Sequence, residues 1–132
     1  MLEAEKPTAK LLRICLVLSG VTGALGVIGL ALSAHSDAPA LLATGAQMML
    51  FHAPVFLGVG LVAQIRRAPF LPVVALLLAS GLTLFCGDLF SRSFVSEKLF
   101  SMAAPIGGSL IILSWFALAL NAFLLFPKKP AV

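Results

Sequence analysis

Residues 11–33 read LLRICLVLSGVTGALGVIGLALS, and this stretch decides the fold. It holds one charge, Arg13, and follows a charged lead containing Glu3, Glu5, Lys6 and Lys10. The outline is that of a secretory signal, and Ala31-Leu32-Ser33-Ala34 offers the small residues that a signal peptidase favours. Its apolar core, however, exceeds the roughly 7–15 residues of a signal h-region. It meets the length of about 20 residues that a membrane-spanning helix needs. We read it as an uncleaved first span.

Working outward, three further apolar stretches follow. Residues 40–65 end on Arg66-Arg67, residues 70–90 carry Pro72 in a first turn, and residues 102–126 stop at Pro127-Lys128-Lys129-Pro130. Composition agrees: 61% of the 132 residues are hydrophobic, 11% are charged, and the mean hydropathy is +1.12. A soluble chain runs about 45–50% apolar and about 25% charged, so a water-soluble globule and a disordered chain are both excluded. Four spans of about 20 residues leave no room for a domain outside the membrane. The expected architecture is an all-α, integral membrane, four-helix antiparallel bundle. A lead at 1–10 precedes one membrane domain at 11–126, with spans at 11–33, 40–65, 70–90 and 102–126, and a tail follows at 127–132.

Charge placement sets the expected direction. Lys6, Lys10, Arg13, Arg66, Arg67, Lys128 and Lys129 fall at the termini and in the second loop, whereas Arg92 and Lys98 fall on the other side with Asp37, Asp88 and Glu97. By the positive-inside rule both termini of this multi-pass chain are expected to be cytoplasmic. The net charge of +4 comes in short clusters at helix ends without interleaved aromatics, so nucleic acid is not the expected partner. Cys15 and Cys86 form no metal or redox spacing and lie at opposite depths, too far apart for a disulfide.

Within the spans, small and polar residues carry the remaining information. Ser19, Thr22, Gly26, Gly29 and Ser33 follow a 3-4-3-4 spacing, and such seams let helix backbones approach in lipid. Contact within the bundle is the favoured reading, with a homodimer seam as the alternative. His52 falls near mid-membrane, followed by Pro54, which deprives the Leu50 carbonyl of its helical partner. Thr22, Ser80, Ser114 and Trp115 fall at a similar depth and are its candidate partners. A neutral, hydrogen-bonded structural histidine is favoured, and a ligand or proton site is the alternative. At the outer rim stand His35, Asp37, Asp88, Arg92, Glu97 and Lys98. Asp88 and Arg92, four apart, can pair on one helix face, and His35 can join them; a rim salt-bridge cluster is the favoured reading and a ligand-binding or proton-entry site the alternative.

Familiar chemistries are missing. His35 and His52 differ in depth by about 16 Å of helical rise, so one haem iron within this chain cannot take both. No carboxylate lies at mid-depth, and there is no nucleophile triad, phosphate loop or metal cluster. The expectation is a non-enzymatic protein without a cofactor.

Four motifs read together carry a resemblance. They are Ala34-His35, Phe51-His52-Ala53, Leu89-Phe90-Ser91-Arg92-Ser93, and Pro105-Ile106-Gly107-Gly108 with Ser114-Trp115. In this order they resemble the small four-span family of transmembrane protein 256 and its bacterial relatives, a family with a domain of unknown function. Against the family pattern, Ser33 stands for a glycine, Met48-Met49 for a Tyr-Gln pair, Arg92 for a glycine and Ser114 for a glycine. The resemblance implies a multi-pass protein of a bacterial inner membrane, or a mitochondrial-type one, with four helices and no assigned reaction. In the last motif Gly107 and Gly108 remove side chains where another backbone can come close. The functional expectation is a helix-packing accessory subunit of a larger membrane complex, respiratory or otherwise energy-converting, with other membrane proteins or a second copy as partner. The alternative is a small transporter or channel using His52 and the Asp88/Arg92 rim.

Overall fold

The computed structural model describes residues 7–129. Most of the expected lead, including Lys6, and the end of the tail lie outside the described residues. Four helices follow one another: α1 Lys10–Ser33, α2 Pro39–Ile65, α3 Leu71–Val95 and α4 Ala103–Asn121. Each is long and apolar enough to cross a membrane. Proline opens α2 and α3, where a missing N–H is not needed. Among the described residues the chain is all-α apart from a two-residue ladder, in which β1 (Arg66–Arg67) pairs antiparallel with β2 (Phe126–Pro127).

Two spans end elsewhere than hydropathy places them. α3 runs on to Val95, past the expected end at residue 90, because the residues beyond Phe90 find partners on or beside the helix. Arg92 pairs with Asp88 one turn back, and the Ser93 hydroxyl meets that of Ser36 at 3.1 Å. The helix stops at Ser96, whose φ of 60° is left-handed. α4 ends at Asn121, before the expected 126. There Ala122, Phe123 and Leu124 donate three residues back, a tightening that closes the helix. The chain then extends to pair with β1.

Packing is a strip with α2 and α3 at its centre. α1 lies mainly on α2, α4 mainly on α3, and α1 meets α3 only narrowly. The outer position of α1 and α4 shows in burial: 22% of the apolar window is buried in each, against 44% in α3. Lipid supplies no hydrophobic drive between helices, so close approach by small residues does the work. On α1, Cys15, Thr22 and Gly29 recur every seventh residue, as do Ala46, Ala53 and Gly60 on α2. A Cβ on Gly26 would stand 2.7 Å from Leu50 Cγ and 3.1 Å from the Ala46 carbonyl oxygen. One on Gly60 would stand 2.8 Å from Cys15 Cβ. The α1 seam is therefore filled by α2 of the same chain, with Ser19 and Ser33 half-buried at its margin. Between α3 and α4 the contact is glycine on glycine: a Cβ on Gly81 would meet the Gly107 carbonyl oxygen at 2.8 Å, and one on Gly107 would meet Phe85 N at 2.5 Å. Gly108 has ordinary room, with Phe85 at 3.8 Å. Phe56, Leu78, Leu82, Cys86 and Ile111 fill the middle of the bundle.

Candidate functional site

The mid-membrane histidine joins α2 to α4. His52 is 5% exposed, and its Nδ1 lies 2.6 Å from the Met48 carbonyl oxygen, one turn back. The Trp115 indole N–H donates to His52 Nε2 at 3.2 Å, with the rings edge to face and 5.8 Å apart. These partners assign the tautomer: Nδ1 carries the proton and Nε2 presents its lone pair. A second proton on the ring would set two N–H groups against each other, so the arrangement suits a neutral imidazole. The hydroxyls expected around it do not reach it. Ser114 donates to the Ile111 carbonyl of its own helix, while Thr22 is buried toward α1's neighbours and Ser80 is half-buried. Helix rotation aims Trp115 rather than a hydroxyl at α2. The pair can brace two helices whose backbones are not in close contact; as placed, it offers no free proton-accepting atom.

The outer rim contracts to two residues. Asp88 is completely buried, and its Oδ2 lies 2.5 Å from the Arg92 guanidinium. Its Oδ1 accepts the Leu99 N–H at 3.0 Å, tying the α3–α4 loop to α3. Beyond this charge pair, Asp88 Oδ2 and Arg92 Nε have no hydrogen-bond partner among the described residues. The Ser91 hydroxyl adds a second stitch to the Glu97 carbonyl at 2.8 Å. His35, Asp37, Glu97 and Lys98 are all exposed, and among the described residues Asp88–Arg92 is the one ion pair. His35 does not join Asp88 and Arg92 in an ion pair and stays exposed, although its neighbour Ser36 meets Ser93 on α3.

The cysteines stand apart. Cys15 packs with Val59, Leu71 and Val74 toward one end of the bundle, and the Cys86 thiol donates to the Gly45 carbonyl at 3.3 Å toward the other. Among the described residues no group of three or more His, Cys, Asp or Glu could hold a metal.

Hollows open on the surface of the described residues. One of about 750 Å³ lies at the basic end, where Lys10, Arg66, Arg67 and Lys128 converge. A cleft of about 380 Å³ separates α2 from α4 beside Trp115, and one of about 290 Å³ separates α1 from α3 beside Thr22. Neither His35 nor His52 lines any of them. Sequence reasoning misses the polar residues that hold the basic end. Gln64 accepts the Ala9 N–H at 2.7 Å and donates to the Pro7 carbonyl. Asn121 accepts the Phe70 N–H at 3.1 Å and donates to the Ala117 carbonyl. Both are lone amides near a span's end, which in lipid is itself a sign of a required partner. It also misses Gly45, Gly60 and Gly81, the recipients of the packing seams.

Comparison with known proteins now bears on this geometry. The family described as protein of unknown function DUF423 matches residues 22–108, a segment that holds His52, Asp88, Arg92 and Gly107. A UPF0382 membrane protein of Haemophilus influenzae is 30% identical over 101 residues, covering 76% of this chain and 81% of that protein. No solved structure is significantly similar.

Proposed function

The chain belongs to the DUF423 family, whose function is unknown, and on that premise we propose that this integral membrane protein acts without catalysis, as an accessory subunit that packs against another membrane protein in a bacterial inner membrane. The observation that carries this reading is the lateral cleft between α2 and α4. It is about 380 Å³, lies beside the braced Trp115, and is walled by Val55, Gly58, Val62 and Leu118. Among the described residues nothing outside its own helix backbone lies within 4 Å of where a Gly58 Cβ would stand, unlike at Gly26 or Gly107. A small residue facing an open apolar groove is the surface that a ridge of another helix fits. A second copy of the chain is the simplest rival occupant, and the α1 seam is not free for it.

The transporter reading has buried His52 and Asp88 in its favour. Against it stand the engagement of both imidazole nitrogens and the clasping of Asp88 within its own loop.

Purification in gentle detergent of the parent and of Gly58→Leu tests the proposal. A defined membrane protein should accompany the parent and be lost from Gly58→Leu, whose own melting is unchanged. A parent that purifies as an isolated monomer, or a variant that keeps the same companion, contradicts it.

A further inference from the structure

Lys10, Arg66, Arg67 and Lys128 come from three distant parts of the chain, yet line one hollow of about 750 Å³. Their convergence is built. Gln64 ties the segment before α1 to the end of α2, and β1 pairs with β2, so that Lys128 follows directly on the ladder. Leu11, Ala63, Leu71 and Phe126 give the hollow an apolar wall. All described carboxylates, Asp37, Asp88 and Glu97, belong to the opposite end, and among the described residues none of the four cations has an acidic partner. Four like charges around one hollow repel one another, and a bound anion relieves that repulsion. The position, at the polar end of a membrane bundle with apolar side chains beneath, matches an amphiphile whose charged group sits at the interface.

We propose that this hollow binds the phosphate of an anionic phospholipid headgroup, the guanidinium groups and lysines holding the phosphate and the apolar wall receiving the start of an acyl chain. Arginine suits this task because its planar fork can present two N–H groups to one phosphate. The same cations would accept a free phosphate; the apolar wall is what favours the lipid.

Native mass spectrometry of the full chain in mild detergent, titrated with phosphatidylglycerol, phosphatidylcholine or inorganic phosphate, tests the site. Phosphatidylglycerol should be retained and phosphatidylcholine not. Arg66→Gln with Arg67→Gln should weaken phosphatidylglycerol binding by about 30-fold at low salt, taking roughly fivefold per cation. The matched control is Arg13→Gln with Lys129→Gln, which removes the same charge from the same end at residues that do not line the hollow; it should leave binding within about twofold. Should the arginine pair disturb folding, Lys128→Gln against Lys129→Gln asks the same question, with loss expected only in the first. Equal loss in lining and non-lining variants would show diffuse surface charge and overturn the site. Equal retention of phosphatidylcholine would overturn the headgroup assignment, and displacement of the lipid by equimolar inorganic phosphate would overturn the lipid as ligand.

Discussion

At the end of the bundle that carries the α3–α4 loop, charge is used up inside the chain. Asp88 is buried, faces Arg92 and accepts the Leu99 N–H, while Ser91 and Ser93 stitch loops onto α3. At the opposite end, Lys10, Arg66, Arg67 and Lys128 stand around a hollow, and the polar residues nearby, Gln64 and Asn121, bond to backbone and leave the cations alone. The first end is a closed fitting and the second an open one. The functional question moves accordingly: the polar rim that stands out in the sequence holds the loop down, and the surface whose cations have no acidic partner among the described residues is the one that ordinary positive-inside bias hides.

The largest expected effect breaks the closed end. Gly107→Val drives a side chain into Phe85 N and the Gly81 carbonyl, where backbone on both sides blocks relaxation. It should destabilise the protein by at least about 3 kcal/mol or prevent folding, whereas Gly108→Ala should be neutral in the same detergent melt. Asp88→Ala strips the loop of its acceptor and strands Arg92, at about 2–4 kcal/mol. Asp88→Asn, which keeps an acceptor for Leu99, should lose clearly less, and equal losses would show that the charge alone matters.

Between the two ends, His52→Leu should cost about 1–2 kcal/mol by leaving the Trp115 N–H unpartnered, and His52→Gln, which both donates and accepts, should recover part of it. A His52→Leu protein as stable as the parent would remove the bracing role. The smallest expected effect is a gain: Ser96→Gly relieves a left-handed serine at the α3 terminus and should add up to about 1 kcal/mol in equilibrium unfolding.

What the sequence could and could not reveal follows from the kind of information each feature needs. Hydropathy marks where spans begin, because proline and charge coincide with the change of solvent at Pro39 and Leu71. It misplaces the end of α3 since a window average falls at Ser91 while the Asp88–Arg92 pair keeps the helix going. The 3-4 spacing identifies one face of α1, yet says nothing about which helix meets it; that required the matching sevenfold repeat of Ala46, Ala53 and Gly60. Gly81 is a lone glycine among leucines and carries no spacing at all. The depth of His52 limits its partners to four residues, but choosing Trp115 over three hydroxyls needs the relative rotation of α2 and α4. The basic hollow is the least legible, since Lys128 meets Arg66 only through a ladder of two residues that no periodicity announces.

The account rests on the basic end facing the cytoplasm and the clasped end facing outward. Fusion of a fluorescent protein or of alkaline phosphatase after Val132, and separately in the α3–α4 loop at Lys98, measures this in living cells. Fluorescence after Val132 and phosphatase activity only at Lys98 is the predicted result; phosphatase activity after Val132 would contradict it.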